Sequence, residues 1–434
     1  MNSAPAAAPR TLLGTAGGVF DIVVVEPLAR STGHQSWFAG NLSAALTAAG
    51  LRPLLLTFDG LHDASLLCRE KGCATQRVSR QTPSWLWWAF SKVTGVPLGG
   101  TAAPSRVRSR YRLYFYNVVA TGVSVVFACR TADRDPAPVI HLLCPPSRLV
   151  IGCLVLARRP GTRVVITAFA SPGRFYRRLA RLQEMCRSRA VTIVVQTEAL
   201  AADWAAAVGS DAVRMIPLPS EEKAATGDVR ENRRLLDLPA DKPIVAVIGC
   251  IGPQKGYIEL FQALRGMPQD FRVLLIGDTG DWINPDPQEV VRAAGWTENT
   301  IIRRKFVPER LMPNLFGAVD VVALLYREPN ASSGILSLCQ QYGVPVLATR
   351  FGEIGKKVES QNLGLTADPN KPEEVREALG ELLANCSDHG KCAHRSGTVS
   401  AVTGSPRSPA SLSWSEAAEA HLRLYAERLA LPCD

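Results

Sequence analysis

Residues 243–265 read PIVAVIGCIGPQKGYIELFQALR. Ile244–Ile248 is a short, wholly apolar run rich in β-branched residues, as expected of a strand buried on both faces of a parallel sheet. Gly249, Gly252 and Gly256 then punctuate a turn that carries Lys255, after which Tyr257–Arg265 resumes with apolar residues at helical spacing. The glycines let backbone N–H groups approach phosphate oxygens closely, the helix start favours negative charge, and Lys255 adds a full positive charge. Taken alone, the turn fits an ordinary βα connection with a surface lysine equally well.

The same strand and helix alternation runs outward in both directions. Later strands are expected at Arg272–Ile276, Thr300–Arg303, Val321–Leu325 and Val344–Ala348, with helices at Tyr257–Arg265, Pro287–Ala294, Glu309–Phe316, Gly334–Tyr342 and Pro372–Ala384. Earlier ones are expected at Phe20–Val25, Pro53–Thr57, Val139–Leu143, Arg163–Thr167, Val191–Gln196 and Val213–Pro217, with helices such as Trp37–Ala49 and Phe175–Arg187. Short buried strands separated by helices make βαβ units, so the chain reads as α/β, two Rossmann-like doubly wound domains. The polar stretch 219–242 (PSEEKAATGDVRENRRLLDLPADK) divides domain 1–218 from domain 243–386, and 387–411 is a second polar segment. Within 412–434, Ser413 is a plausible N-cap for a helix whose Trp414, Ala418, Leu422 and Tyr425 share one face, which needs a surface to dock on.

A second chemistry-bearing stretch, Tyr326–Gly334 (YREPNASSG), sits where a strand ends and the helix beginning ILSLCQQY starts. Ser332, Ser333, Gly334 and Ile335 place free helix N–H donors at that point, and ligands of doubly wound sheets bind beyond the carboxyl ends of the strands. A simple serine N-cap also accounts for the motif by itself. Two phosphate-type turns in one domain are harder to attribute to chance.

The order of these segments resembles the C-terminal domain of retaining GT-B glycosyltransferases of family four, the group 1 transferases. The matching residues are Lys255-Gly256, Gly277-Asp278, Val319-Asp320-Val321, Gly343-Val-Pro-Val-Leu-Ala-Thr349 and Asp368-Pro369, with SWSEAAEAHLRLY similar to the family's last helix, which crosses back to the first domain. Ser31-Thr-Gly33-His34-Gln35 looks like the family's glycine-rich entry loop. The resemblance implies two domains facing across a cleft, the first presenting a glycan or lipid-linked acceptor and the second holding a UDP- or GDP-sugar. Donor phosphates would rest on Lys255, the Ser332–Gly334 amides and Arg327, with base contacts near Gly277, Phe306 and Val307. His34, in the loop after the first strand, fits a catalytic acceptor-side group or base and equally well a helix-capping or merely polar histidine. The implied reaction retains anomeric configuration and uses no metal or other cofactor. Departures are visible too: the family's two glutamates fall on Asn330 and Leu338, its arginine on Cys250 and its strand-end histidine on Phe169. A degenerate protein that binds a sugar nucleotide or a partner without turnover is the alternative.

Composition agrees with an anionic ligand. Lys and Arg exceed Asp and Glu to give a net charge of +10, but the basic residues are spread along the chain and no zinc-finger or RNA-recognition signature appears, so no nucleic-acid partner is expected. Eleven singly scattered cysteines point to a reduced, cytoplasmic setting. The apolar run Leu113–Cys129 is broken by polar residues and reads as too short to span a bilayer. Trp85, Trp87, Trp88 and Phe90 with Arg106, Arg108, Arg110 and Arg112 suit either a lipid interface, hence peripheral membrane contact, or a core helix with a solvated basic face. His141 reads as a strand-end histidine, structural or facing the same cleft. In CSDHGKCAH, Cys386, His389, Cys392 and His394 are spaced too tightly in a loop for a metal site to be expected.

Overall fold

A computed structural model describes residues 21–26, 34–57, 73–78, 110–132, 139–143, 147–172, 180–219, 228–277, 285–305, 307–327, 333–387 and 412–429. The first domain is built on strands β1 (Ile22–Glu26), β2 (Pro53–Thr57), β3 (Ala74–Arg77), β4 (Val139–Leu142), β5 (Val164–Thr167), β6 (Val191–Val195) and β7 (Val213–Met215). They lie in the order β3-β2-β1-β4-β5-β6-β7, every neighbouring pair parallel. Helices α1 (His34–Ala48), α2 (Arg110–Thr131), α3 (Arg148–Ala157), α4 (Ala180–Arg187) and α5 (Glu198–Val208) accompany them. Successive strand residues point to opposite faces, so two cores form. Val23, Val25, Ile140 and Leu142 pack with Leu154 and Trp204 on one side, while Val24, Leu55 and Val165 pack with Phe38 and Leu42 on the other.

The second domain repeats the plan. Strands β8 (Ile244–Ile248), β9 (Arg272–Ile276), β10 (Thr300–Arg303), β11 (Val321–Leu324), β12 (Val346–Thr349) and β13 (Gly364–Ala367) form a parallel sheet of order β10-β9-β8-β11-β12-β13. Around it lie helices α6 (Val229–Leu235), α7 (Tyr257–Leu264), α8 (Pro287–Ala293), α9 (Met312–Ala318), α10 (Gly334–Tyr342), α11 (Gly352–Ser360) and α12 (Pro372–Ser387). Val245, Val247 and Leu275 meet Phe261 and Leu379 on one face, and Ala246, Ile248 and Leu274 meet Phe316 and Leu336 on the other.

The observed strands depart from expectation at one edge of each sheet. β3 (ATQR) and β13 (GLTA) were not anticipated, because each is an edge strand with a half-buried face and lacks the apolar run that marks the central strands. The polar stretch before the second domain is not a simple spacer either. Its α6 carries Arg233, which donates through Nε to the Ala318 carbonyl at 3.0 Å and through Nη2 to Asp320 Oδ2 at 2.6 Å. Asp320 also accepts from the Ile244 N–H at 2.7 Å, tying α6 to the head of β8.

The last helix, α13 (Trp414–Leu429), is capped reciprocally: Ser413 Oγ accepts from the Glu416 N–H and Glu416 Oε2 from the Ser413 N–H, at 3.1 and 2.7 Å. It lies against α1, with Ala418, Leu424 and Tyr425 in the same cluster as Phe38 and Leu46. His141 is fully buried beneath it, with Nδ1 2.7 Å from Tyr425 Oη and Nε2 2.7 Å from Thr167 Oγ1. Its role is therefore to join a sheet to a helix. No helix of the described residues is long and apolar enough to cross a membrane.

Candidate functional site

In the second sheet the strand order reverses between β8 and β11, and the turns leaving these two strands meet at their carboxyl ends. Pro253–Lys255 forms a single 3₁₀ turn, and Gly256 follows at φ +73°, where α7 begins. A methyl group on Gly256 would lie 1.8 Å from the Leu325 carbonyl oxygen, and one on Gly277 (φ +153°) would lie 1.6 Å from that of Gly249. Only glycine permits either approach. The first brings Lys255 against the end of β11.

There Lys255 Nζ donates to Tyr326 Oη at 2.6 Å and sits 4.0 Å from the centre of the same ring. Ser333 Oγ donates to Tyr326 Oη at 3.4 Å and accepts from the Leu336 N–H at 3.2 Å, capping α10. A methyl on Gly249 (φ +111°) would come within 3.9 Å of Lys255 Nζ and 3.8 Å of Ile335 Cγ1. One cluster thus gathers Gly249, Lys255, Gly256, Tyr326, Ser333, Gly334 and Ile335. It joins a cation to two helix N-termini, α7 and α10, whose leading N–H groups have no partner within their helices. An arrangement of this kind can hold an oxyanion.

The other expected residues are placed as follows. Val307 is buried in the apolar cluster that also holds Ile276 and Tyr326, and Gly252 has extended backbone beside the Gln254 side chain. Arg327 does not enter the lysine cluster. Its Nε and Nη2 both go to Glu259 Oε1 in the first turn of α7, so the fork that would clamp a phosphate is occupied. The Arg327 N–H donates to the Gln254 carbonyl at 3.1 Å, fastening the end of β11 to the 3₁₀ turn. Tyr257, the first residue of α7, donates its hydroxyl to the Pro285 carbonyl at 2.7 Å, and burial pushes its pKa up to about 12. Gly33, Phe306 and Ser332 lie outside the described residues, and His34 is described only as the first residue of α1. The aromatic and basic stretch from Trp85 to Arg108, together with His389, Cys392 and His394, also lies outside them. Among the described residues no group of acidic, histidine or cysteine side chains is arranged to hold a metal ion.

Sequence reasoning missed Tyr326 and Glu259. The signal for Tyr326 was its position, immediately after a buried strand at the edge where the lysine turn ends. Nothing in the spacing marked Glu259, which occupies a buried position of α7 and whose Oε1 meets Arg327, while its buried Oε2 has no hydrogen-bond partner among the described residues.

Residues 242–385 match the model of the family described as glycosyl transferases group 1. The match covers the second domain and not the first. A D-inositol 3-phosphate glycosyltransferase of Xylanimonas cellulosilytica is 28% identical over 214 residues, 49% of this chain and 48% of that protein. The chain thus spans about half the length of such relatives. Among solved structures, a sucrose-phosphate synthase from Thermosynechococcus elongatus superposes with a TM-score of 0.64 at 19% identity, covering 94% of this chain and 98% of that one. Anabaena HepE in complex with UDP-glucose superposes with a TM-score of 0.57 at 16% identity, covering 95% and 98%. At such identities the likeness shows the fold, which is GT-B.

Proposed function

We propose that the protein is a glycosyltransferase that moves a sugar from a UDP- or GDP-sugar to a glycan or lipid-linked acceptor, retaining anomeric configuration. The observation that carries this is Lys255, held against Tyr326 at the switch point of a group 1 domain beside the N-terminus of α10. As the bond from the anomeric carbon to the diphosphate oxygen breaks, negative charge grows on the leaving group. Lys255 and the leading amides of α7 and α10 oppose that charge without having to reorganise. The HepE complex with UDP-glucose supports the choice of donor class. On this reading the donor is the only small molecule the reaction needs besides its acceptor.

A second reading follows from two apolar residues. Leu338 packs at the edge of a core cluster and Phe169 stacks edge-on to Phe38 at 5.5 Å, so neither position offers a titratable group. A protein that binds the donor without turnover would look the same. Incubation with a panel of sugar nucleotides and acceptors separates the two: nucleoside diphosphate release supports transfer, and calorimetric binding without release supports the second reading.

We also propose a cytoplasmic protein that touches a membrane surface. Support comes from α3, whose Leu156 is 89% exposed beside Val155 at 48%, next to Arg158 and Arg159. Apolar side chains flanked by arginines suit an anionic lipid interface. Co-sedimentation with anionic vesicles that persists unchanged in Leu156→Ser would remove that support.

A further inference from the structure

We infer that Tyr326 is itself a ligand of the donor diphosphate, giving its hydroxyl proton to a phosphate oxygen while its lone pairs hold Lys255. This rests on the donor site proposed above and adds a residue that neither its glycines nor its lysine implies.

A phenolic hydroxyl has one proton to give and lone pairs with which to accept. Tyr326 Oη receives Lys255 Nζ at 2.6 Å and Ser333 Oγ at 3.4 Å, which uses its accepting side. Its own proton has no acceptor among the described residues, although the residue is only 9% exposed. A buried donor without an acceptor is costly unless a ligand supplies one. The ligand oxygen best suited to a position shared with an ammonium and a capped helix start is an anionic one.

Tyr326 is also fixed in advance. Its N–H donates to the Leu324 carbonyl at 2.8 Å, and the next residue is tied to Gln254 through its N–H and to Glu259 through its guanidinium. Its ring belongs to the apolar cluster of Ile276, Val307 and Leu336. Binding therefore requires little ordering of the ring, and the hydroxyl meets the phosphate in a geometry the fold already holds. The arrangement is directional: Lys255 supplies charge, the α10 amides supply dipole, and Tyr326 supplies the oriented neutral donor between them.

The test compares wild type with Tyr326→Phe, which keeps the ring in its apolar seat and removes only the hydroxyl. UDP and GDP are titrated by calorimetry, with uridine and guanosine as probes lacking phosphate. The inference expects the nucleoside diphosphate Kd to rise at least about tenfold in Tyr326→Phe, with nucleoside binding and the thermal midpoint near wild type. Equal diphosphate affinity in the two proteins would overturn the role of Tyr326 and leave the donor site standing. An equal loss for nucleoside and diphosphate would mark a packing defect and overturn it too. Absence of diphosphate binding by wild type would remove the donor reading, and this inference with it. In Lys255→Ala the removal of the Tyr326 hydroxyl should cost less than in wild type, since part of its work is to hold the lysine.

Discussion

Gly256→Ala tests whether the approach of the lysine turn to β11 builds the site. Two effects act there. Alanine at φ +73° costs about 1 kcal/mol from the left-handed backbone alone. In addition the new methyl would sit 1.8 Å from the Leu325 carbonyl oxygen, and contacts under 3.0 Å are essentially never seen, so turn and strand must part by about 1.2 Å. Such a shift takes the 2.6 Å bond from Lys255 to Tyr326 out of hydrogen-bonding range. Adding that bond, ~1 kcal/mol, and the loosened packing under Leu325 gives a destabilisation of about 3 kcal/mol. Gly266→Ala is the matched control, with φ +76° and no atom within 4 Å of the added methyl. It should lose only the backbone part, about 1 kcal/mol. Urea unfolding measures both, and calorimetry with the nucleoside diphosphate measures the site. Gly256→Ala should weaken diphosphate binding by about tenfold to a hundredfold, the worth of a displaced charge-assisted bond, whereas Gly266→Ala should bind normally. Equal stability and equal binding in the two variants would refute the claim that the close approach positions Lys255.

Asp320→Ala should destabilise the second domain by about 3–5 kcal/mol, because it leaves the buried Arg233 guanidinium without its counter-charge and the Ile244 N–H without its acceptor; a loss under about 1 kcal/mol in urea unfolding would contradict it. Of the described cysteines Cys250 is the exposed one, at the head of the lysine turn, so its alkylation should weaken donor binding about tenfold, ~1.4 kcal/mol, and bound nucleotide should slow the labelling. Cys250→Ser read by mass spectrometry and calorimetry checks the assignment, and an unchanged Kd after full labelling would sink it. Burial holds His421 at a pKa of about 4 and His141 well below the usual histidine range. Both therefore charge more readily in the unfolded chain, so their contribution is complete above about pH 6.5 and is lost as pH falls towards 4. Docking of α13 should weaken over that window, and protease cleavage of α13 at a rate constant from pH 7 to pH 5 would count against it.

How much was legible from sequence follows from burial. β8 and β11 announce themselves because both faces are covered and every residue is apolar, as is β9 after Arg272, whereas β3 and β13 carry Thr, Gln and Gly at half-covered edges and resemble loops. The Lys255-Gly256 turn was legible as a candidate phosphate site only beside the Tyr326–Gly334 turn, since alone it fits an ordinary βα connection. Its partner was not. Tyr326 looks like any residue at a strand end until the fold places Lys255 on it, across 71 positions of sequence. Arg327 is a cation at the right edge whose ion pair with Glu259 no local pattern shows. Likewise α6 read as linker because most of its exposed residues are charged, while its two buried ones, Asn232 and Arg233, are polar as well.

The same cluster serves both a transferase and a mere binder, so affinity alone cannot separate them. What differs is when the charge is felt. If Lys255 only holds a bound diphosphate, its interaction is the same before and during any reaction, and its removal raises KM or Kd without lowering kcat. If charge grows on the leaving oxygen as the glycosidic bond breaks, Lys255 is worth more in the transition state than in the ground state. Lys255→Ala should then lower kcat and kcat/KM together. If Lys255 opposes the charge of a leaving diphosphate, the kcat of Lys255→Ala is where that must appear.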